Sequence, residues 1–161
     1  MELRQAQEIV HTLFTSQAFG VLATQGDMQP YTTLVAFAPT EDQQHILFVT
    51  ERSTTKYAHI TQNPQVALLI DNRSNHPRDF SQAAVATLLG KVTEVPEEQH
   101  TEYLNQYLAK HPHLTDFVRA PSSALLMLQV HKIILVTRFQ HVIEWELNEC
   151  PDTSKTAEQP L

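Results

Sequence analysis

Apolar residues at Leu3, Ala6, Ile9, Val10, Leu13 and Phe14 recur at helical spacing, which predicts an amphipathic helix over residues 2–15. The rhythm then changes. Phe19 to Ala23 is a short apolar run closed by the turn signal Gln25-Gly26-Asp27. After Pro30, the stretch Tyr31-Thr32-Thr33-Leu34-Val35-Ala36-Phe37 is rich in β-branched and aromatic residues and stops near Pro39. A polar loop, Thr40 to Gln44, leads to a third strand at Ile46-Leu47-Phe48-Val49-Thr50. Three strands so closely spaced predict an antiparallel meander.

From Ser53 to Gln62 the pattern is helical again, with Tyr57, Ala58 and Ile60 on its apolar side, and Asn63-Pro64 ends it. A fourth strand, Val66 to Ile70, precedes a polar loop from Asp71 to Phe80, and a fifth runs from Ala84 to Val92. Pro96-Glu97-Glu98 reads as a first helical turn with Pro at N1 and acids at the positive end of the dipole. Tyr103, Leu104, Tyr107 and Leu108 form one packed face of that helix, which stops at His111-Pro112. The last strands are Ser123 to Val130, with a possible extension to Thr137, and His141 to Leu147. Residues 148–161 are polar and carry two prolines, so they are predicted to be a disordered tail behind a single domain of residues 1–147. Six or seven mostly antiparallel strands with three flanking helices predict an α+β barrel.

Composition removes several functions. Eighteen acidic against eleven basic residues give a net charge of −7, and no window is strongly basic, which argues against a nucleic-acid partner. The longest apolar runs, such as Ala124 to Leu128, are far short of the roughly 20 residues a membrane helix needs. With a polar start, Met1-Glu2-Leu3-Arg4-Gln5, the chain reads as cytoplasmic. Cys150 is the lone cysteine, so a disulfide within the chain and a thiolate metal cage are excluded. Only Gly20, Gly26 and Gly90 are present, too few and too scattered for a dinucleotide fingerprint or a phosphate loop. There is no nucleophile motif and no obvious carboxylate pair, which points to chemistry carried by a cofactor or to no catalysis.

The run Val49-Thr50-Glu51-Arg52-Ser53-Thr54-Thr55-Lys56 is the most informative segment. A strand ends and a helix begins within a few residues, with Ser53 or Thr54 as N-cap and free N–H groups at the helix start. Hydroxyls at Thr54 and Thr55 and cations at Arg52 and Lys56 make a phosphate site that needs no glycine. An ordinary capped helix with solvated charges is the alternative. Asn72 and Arg73, just beyond strand four, are a second candidate for an anionic ligand, against a solvated loop with an internal Asp–Arg pair. Among nine histidines, His111-Pro112-His113 lacks a third ligand at useful spacing, so no metal site is assigned. Trp145 and Phe139 read as core or interface residues.

In sequence order, Phe19 to Thr24, Gly26, Pro30 to Val35, Ile46 to Thr50, Thr54-Thr55-Lys56, Ile60 to Leu68 and Gly90 resemble the FMN-binding split barrels of the pyridoxamine 5′-phosphate oxidase superfamily. The resemblance implies a split β-barrel, and a homodimer with FMN at the interface of the two chains. It implies that Val49, Thr50, Thr54, Thr55 and Lys56 lie near the phosphate and ribityl chain, and that Thr32, Thr33 and Leu34 border the flavin ring. It implies electron transfer between a reduced donor and a small-molecule substrate. Thr55 stands where such oxidases carry Arg beside Lys, and Tyr31 or Thr32 where they carry Arg in strand two. Arg138-Phe139-Gln140-His141 is one residue off their Arg-x-His motif, which argues against pyridoxamine phosphate as substrate. A related group of split barrels implies heme as the alternative cofactor, with a histidine as iron ligand. A non-catalytic flavin- or ligand-binding protein is the third reading.

Overall fold

The computed structural model describes residues 1–138 and 140–147; the predicted tail 148–161, Cys150 and Phe139 lie outside the described residues. Helix α1, Leu3–Ser16, opens on a capping box between Glu2 and Gln5 and buries Ala6, Val10, Leu13 and Phe14. Strands β1 (Phe19–Gly26), β2 (Gln29–Pro39) and β3 (His45–Glu51) form the expected meander, each antiparallel to the next. The β1–β2 turn places Asp27 and Met28 at φ 49° and 63°, both left-handed, as a two-residue hairpin of matching twist requires. Gly26 therefore serves something other than the turn. A Cβ there would lie 2.3 Å from the His59 ring, so the glycine makes room for a helix.

That helix is α2, Thr55–Gln62, two residues shorter at its start than the pattern from Ser53 suggests. The Thr54 hydroxyl accepts from the Tyr57 N–H, which fixes Thr54, not Ser53, as the cap. Strand β4 (Gln65–Asp71), a single helical turn α3 (Asp79–Gln82) and strand β5 (Ala84–Glu94) follow. Helix α4 spans Glu97–Lys110, and Pro96 is its N-cap rather than its first helical residue. A 3-10 turn at Pro112–Leu114 leads into the short helix α5, Thr115–Arg119, and then β6 (Ser123–Thr137) and β7 (His141–Glu146). The sequence pattern misses α3 and α5 because four or five residues show no helical period.

Strand order is β3-β2-β1-β4-β5-β6-β7, and a further β3–β6 pairing closes a six-stranded antiparallel barrel. Along one edge of the long β6, residues 123–129 pair with β3 and residues 132–137 pair with β7. The barrel is split between Gln129, which pairs with His45 at the start of β3, and Lys132, which pairs with Glu146 at the end of β7. A register shift at Leu89/Gly90 bends β5 against β6, and a Cβ at Gly90 would meet the Gln129 carbonyl at 1.9 Å, so only glycine fits this bulge.

Inward side chains from all six barrel strands form the main core, with α1 adding Ala6 to Phe14 and α2 adding Ile60. A second apolar cluster lies outside the barrel wall, where Tyr107 of α4 and Val118 of α5 cover Ala38, Leu47, Val49 and Leu125. Among the described residues no helix is long and apolar enough to cross a membrane.

Candidate functional site

Helix α2 crosses the end of the barrel where β1 finishes. His59 Nδ1 lies 3.0 Å from the hydroxyl of buried Thr24, and the Tyr31 ring meets the imidazole edge-on with centroids 5.5 Å apart. These contacts, with Ile60 in the core, fix the helix and hence the direction of its first turn.

Thr50 is buried, and its hydroxyl lies 2.9 Å from that of Thr54, so the two threonines tie the strand end to the helix cap. Thr55 and Lys56 occupy the first two helical positions, where backbone N–H groups have no partner inside the helix. Thr55 is exposed and Lys56 half-buried. Burial pulls the Lys56 ammonium below its ordinary pKa, and no carboxylate among the described residues offsets that. Arg52 is already committed. Its two terminal nitrogens reach both oxygens of Glu94 at 3.1 and 2.5 Å, and Nη1 also donates to the Tyr57 hydroxyl at 2.9 Å. Hydrogen bonding to Glu94 holds the guanidinium charged, and the same contact lowers the Glu94 carboxyl. The cation left for a ligand at this turn is Lys56.

Strand β2 divides its three candidates between two surfaces. Thr33 belongs to the inward set with Val35 and Phe37, and its buried hydroxyl has no hydrogen-bond partner among the described residues. Thr32 and Leu34 point outward, Leu34 being 64% exposed. The Val49 side chain packs in the outer cluster with Tyr107, leaving only its backbone toward the strand end. Asn72 and Arg73 follow the far end of β4, seven residues or roughly 20 Å from α2, and one chain does not bring them to Lys56. Asn72 Oδ1 accepts from the Ala84 N–H at 2.8 Å, and Arg73 pairs with Asp71 at 3.0 Å.

Leu34 is one member of a larger surface that the strand patterns carried and the candidate residues above omitted. It pairs across the ladder with Val21, Val21 with Leu69, Leu69 with Thr87 and Thr87 with Ile134, a row of outward side chains without a charge. Phe19, 56% exposed, lies on the same face. No helix of the described residues packs over this wall of the barrel in the way α4 packs over β3.

A half-buried ammonium with no anion among the described residues and two open N–H groups suit a phosphate group, and the apolar wall suits a flat ring; the Thr33 hydroxyl faces the barrel interior instead. No group of three or more His, Cys, Asp or Glu residues among the described residues is placed to hold a metal ion. His131 is half-buried on β6, and His141 is exposed on β7.

The sequence profile of the pyridoxamine 5′-phosphate oxidase family matches residues 6–137. No curated protein matches the chain at a significant level. Solved structures of the same fold include a heme-binding protein from Mycobacterium smegmatis, with TM-score 0.78 at 15% identity over 88% of this chain; the chain spans 57% of that protein. A FAD-binding protein from Mesorhizobium loti aligns with TM-score 0.65 at 15% identity, covering 84% of this chain and 94% of that one. General Stress Protein 26 from Bacillus anthracis aligns with TM-score 0.63 at 17% identity, covering 83% and 95%. At these identities the likeness concerns the fold.

Proposed function

The chain belongs to the pyridoxamine 5′-phosphate oxidase family, and from that membership we propose that it is an FMN-binding oxidoreductase acting as a homodimer. The observation that carries this reading is Lys56, a desolvated ammonium with no carboxylate partner among the described residues at the open start of α2. Lys56 would neutralise the FMN phosphate, and the N–H groups of Thr55 and Lys56 with the Thr54 and Thr55 hydroxyls would hydrogen-bond it. Thr32 and Leu34 would lie along the isoalloxazine, with Thr33 contributing only its backbone between them, since its side chain faces the barrel interior. When bound, the flavin supplies electron transfer between a reduced donor and a small acceptor; the protein's part is to hold and orient.

The second copy of the chain would cover the uncharged row from Leu34 to Ile134. A twofold axis pairs one patch with itself, so an apolar strip without charges meets no like-charge repulsion there. The ring-binding wall would then lie at the edge of the interface, where a partner would exclude water from it.

Flavin titration of the wild type and Lys56→Ala tests the reading. The variant is expected to bind FMN more weakly by about 1–3 kcal/mol while binding riboflavin, which lacks the phosphate, as the wild type does. Equal FMN affinity in the two proteins would remove Lys56 from the site. A Soret band in the purified protein would transfer the pocket to heme, the other ligand class seen on this fold.

A further inference from the structure

The mouth of the barrel away from α2 holds a cavity of about 850 Å³ between α1, α3 and the β6–β7 hairpin. Its floor includes Ile9, Leu13 and Ala84, and its rim is polar. Three groups on one side are donors without an acceptor among the described residues. Thr137, 9% exposed, lines this wall, and its buried hydroxyl has no hydrogen-bond partner among the described residues. Arg138, next in the chain, makes no ion pair among the described residues, unlike Arg4, Arg52 and Arg73, each of which meets a carboxylate. Asn72 uses its Oδ1 on the Ala84 N–H, which leaves its amide N–H groups as the part available to the cavity. On the α1 side stands an acceptor, the Glu8 carboxylate, whose one ion pair among the described residues is with the exposed Arg4 at 3.5 Å.

A buried hydroxyl without a partner costs about 1–3 kcal/mol, so a site that retains one is expected to satisfy it with something bound. From this arrangement we propose that the cavity is a second ligand site, separate from the flavin site, for a small monocarboxylate with an apolar body and a hydrogen-bond donor at its far end. Arg138 takes the carboxylate as a fork, Thr137 and Asn72 donate to it, Ile9 and Leu13 pack the body, and Glu8 accepts from the far donor. The acid on the α1 side also selects against polyanions, since a second negative charge there would face Glu8. The volume falls within the range of small-molecule pockets, about 300–1,000 Å³.

Amide-resolved NMR on the full chain, titrated with para-hydroxyphenylacetate, with tyrosine and with inorganic phosphate, tests this. At least one of the two organic probes is expected to shift the amides of Ala83, Ala84, Thr137 and Arg138, and phosphate is not. Arg138→Gln is expected to weaken that probe at least roughly tenfold while leaving FMN affinity unchanged. Glu8→Gln, on an exposed helix position, keeps the test open should the hairpin variant fold poorly, and it is expected to weaken the probe through the far donor. Absence of shifts with both organic probes overturns the proposal. So does equal probe affinity in both variants, or loss of the shifts when FMN is added, which would place the probe in the flavin site.

Discussion

Two walls of the same barrel face outward with apolar side chains, and the chain treats them differently. Over β3 and the first half of β6, α4 and α5 cover Leu47, Val49 and Leu125 and seal them with Tyr107, whose hydroxyl donates to the Ala36 carbonyl at 3.1 Å. Over β2, β1, β4 and β5 the equivalent outward row, Leu34, Val21, Leu69 and Thr87, has no helix above it. Strand alternation is the same in both places, so alternation alone does not decide what covers a face. The covered wall is a matter of intrachain stability. On the proposed reading, the bare wall is a matter of association and of what binds at its edge.

Substitutions on the two walls should therefore fail in different assays. Tyr107→Ala empties the centre of the outer cluster, and urea unfolding should show a loss of about 3–5 kcal/mol with little change in self-association per folded molecule. Val21→Asp puts a charge in the middle of the bare row, where an isolated chain exposes it to water. Sedimentation should show association weakened by roughly 2 kcal/mol or more, with chain stability close to wild type. If Val21→Asp unfolds the chain as deeply as Tyr107→Ala, the contrast between the walls collapses.

Two pH responses sharpen the same contrast. At the rim of the bare wall, FMN affinity should fall as pH rises through a pKa below 10.5, because Lys56 loses its proton earlier than an exposed lysine and only the ammonium neutralises phosphate. Titration of Lys56→Ala should lack that alkaline loss. At the covered wall, His111 is buried against the Phe37 carbonyl at 2.7 Å, and burial lowers its pKa, with Lys110 and His113 adding repulsion. The unfolded chain then binds a proton that the folded chain refuses. Stability should fall as pH drops below 6.5, a smaller effect checked by unfolding at two acid pH values. His111→Gln, which keeps a donor to the carbonyl, should flatten that slope.

Much of the fold is legible in the sequence because its strands are long, alternate cleanly and are punctuated by Gly26-Asp27, Pro39 and Asn63-Pro64. Helices α3 and α5 are not, since a single turn has no period to read. At the candidate site, Thr54 and Lys56 are legible as a cap and a cation at a helix start. The competing demands on their neighbours are not. That Arg52 is held by Glu94, 42 residues away, depends on strand register that no local pattern encodes, whereas the Asp71–Arg73 pair is local and is the alternative the loop itself offers. The sequence places Asn72 and Arg73 one loop beyond a strand, as Lys56 is, but antiparallel pairing sends the two loops to opposite ends of β4. Gly26 reads as a turn glycine and serves a packing need, because the helix it admits is distant in sequence.

The central claim is that one desolvated lysine at the edge of an uncovered wall marks a flavin site completed by a second chain. The most direct test is sedimentation of the freshly purified protein followed by absorbance at the flavin wavelengths. The account predicts a two-banded flavin spectrum moving with a species of twice the 18.3 kDa chain mass. A colourless monomer that takes up no added FMN would contradict it.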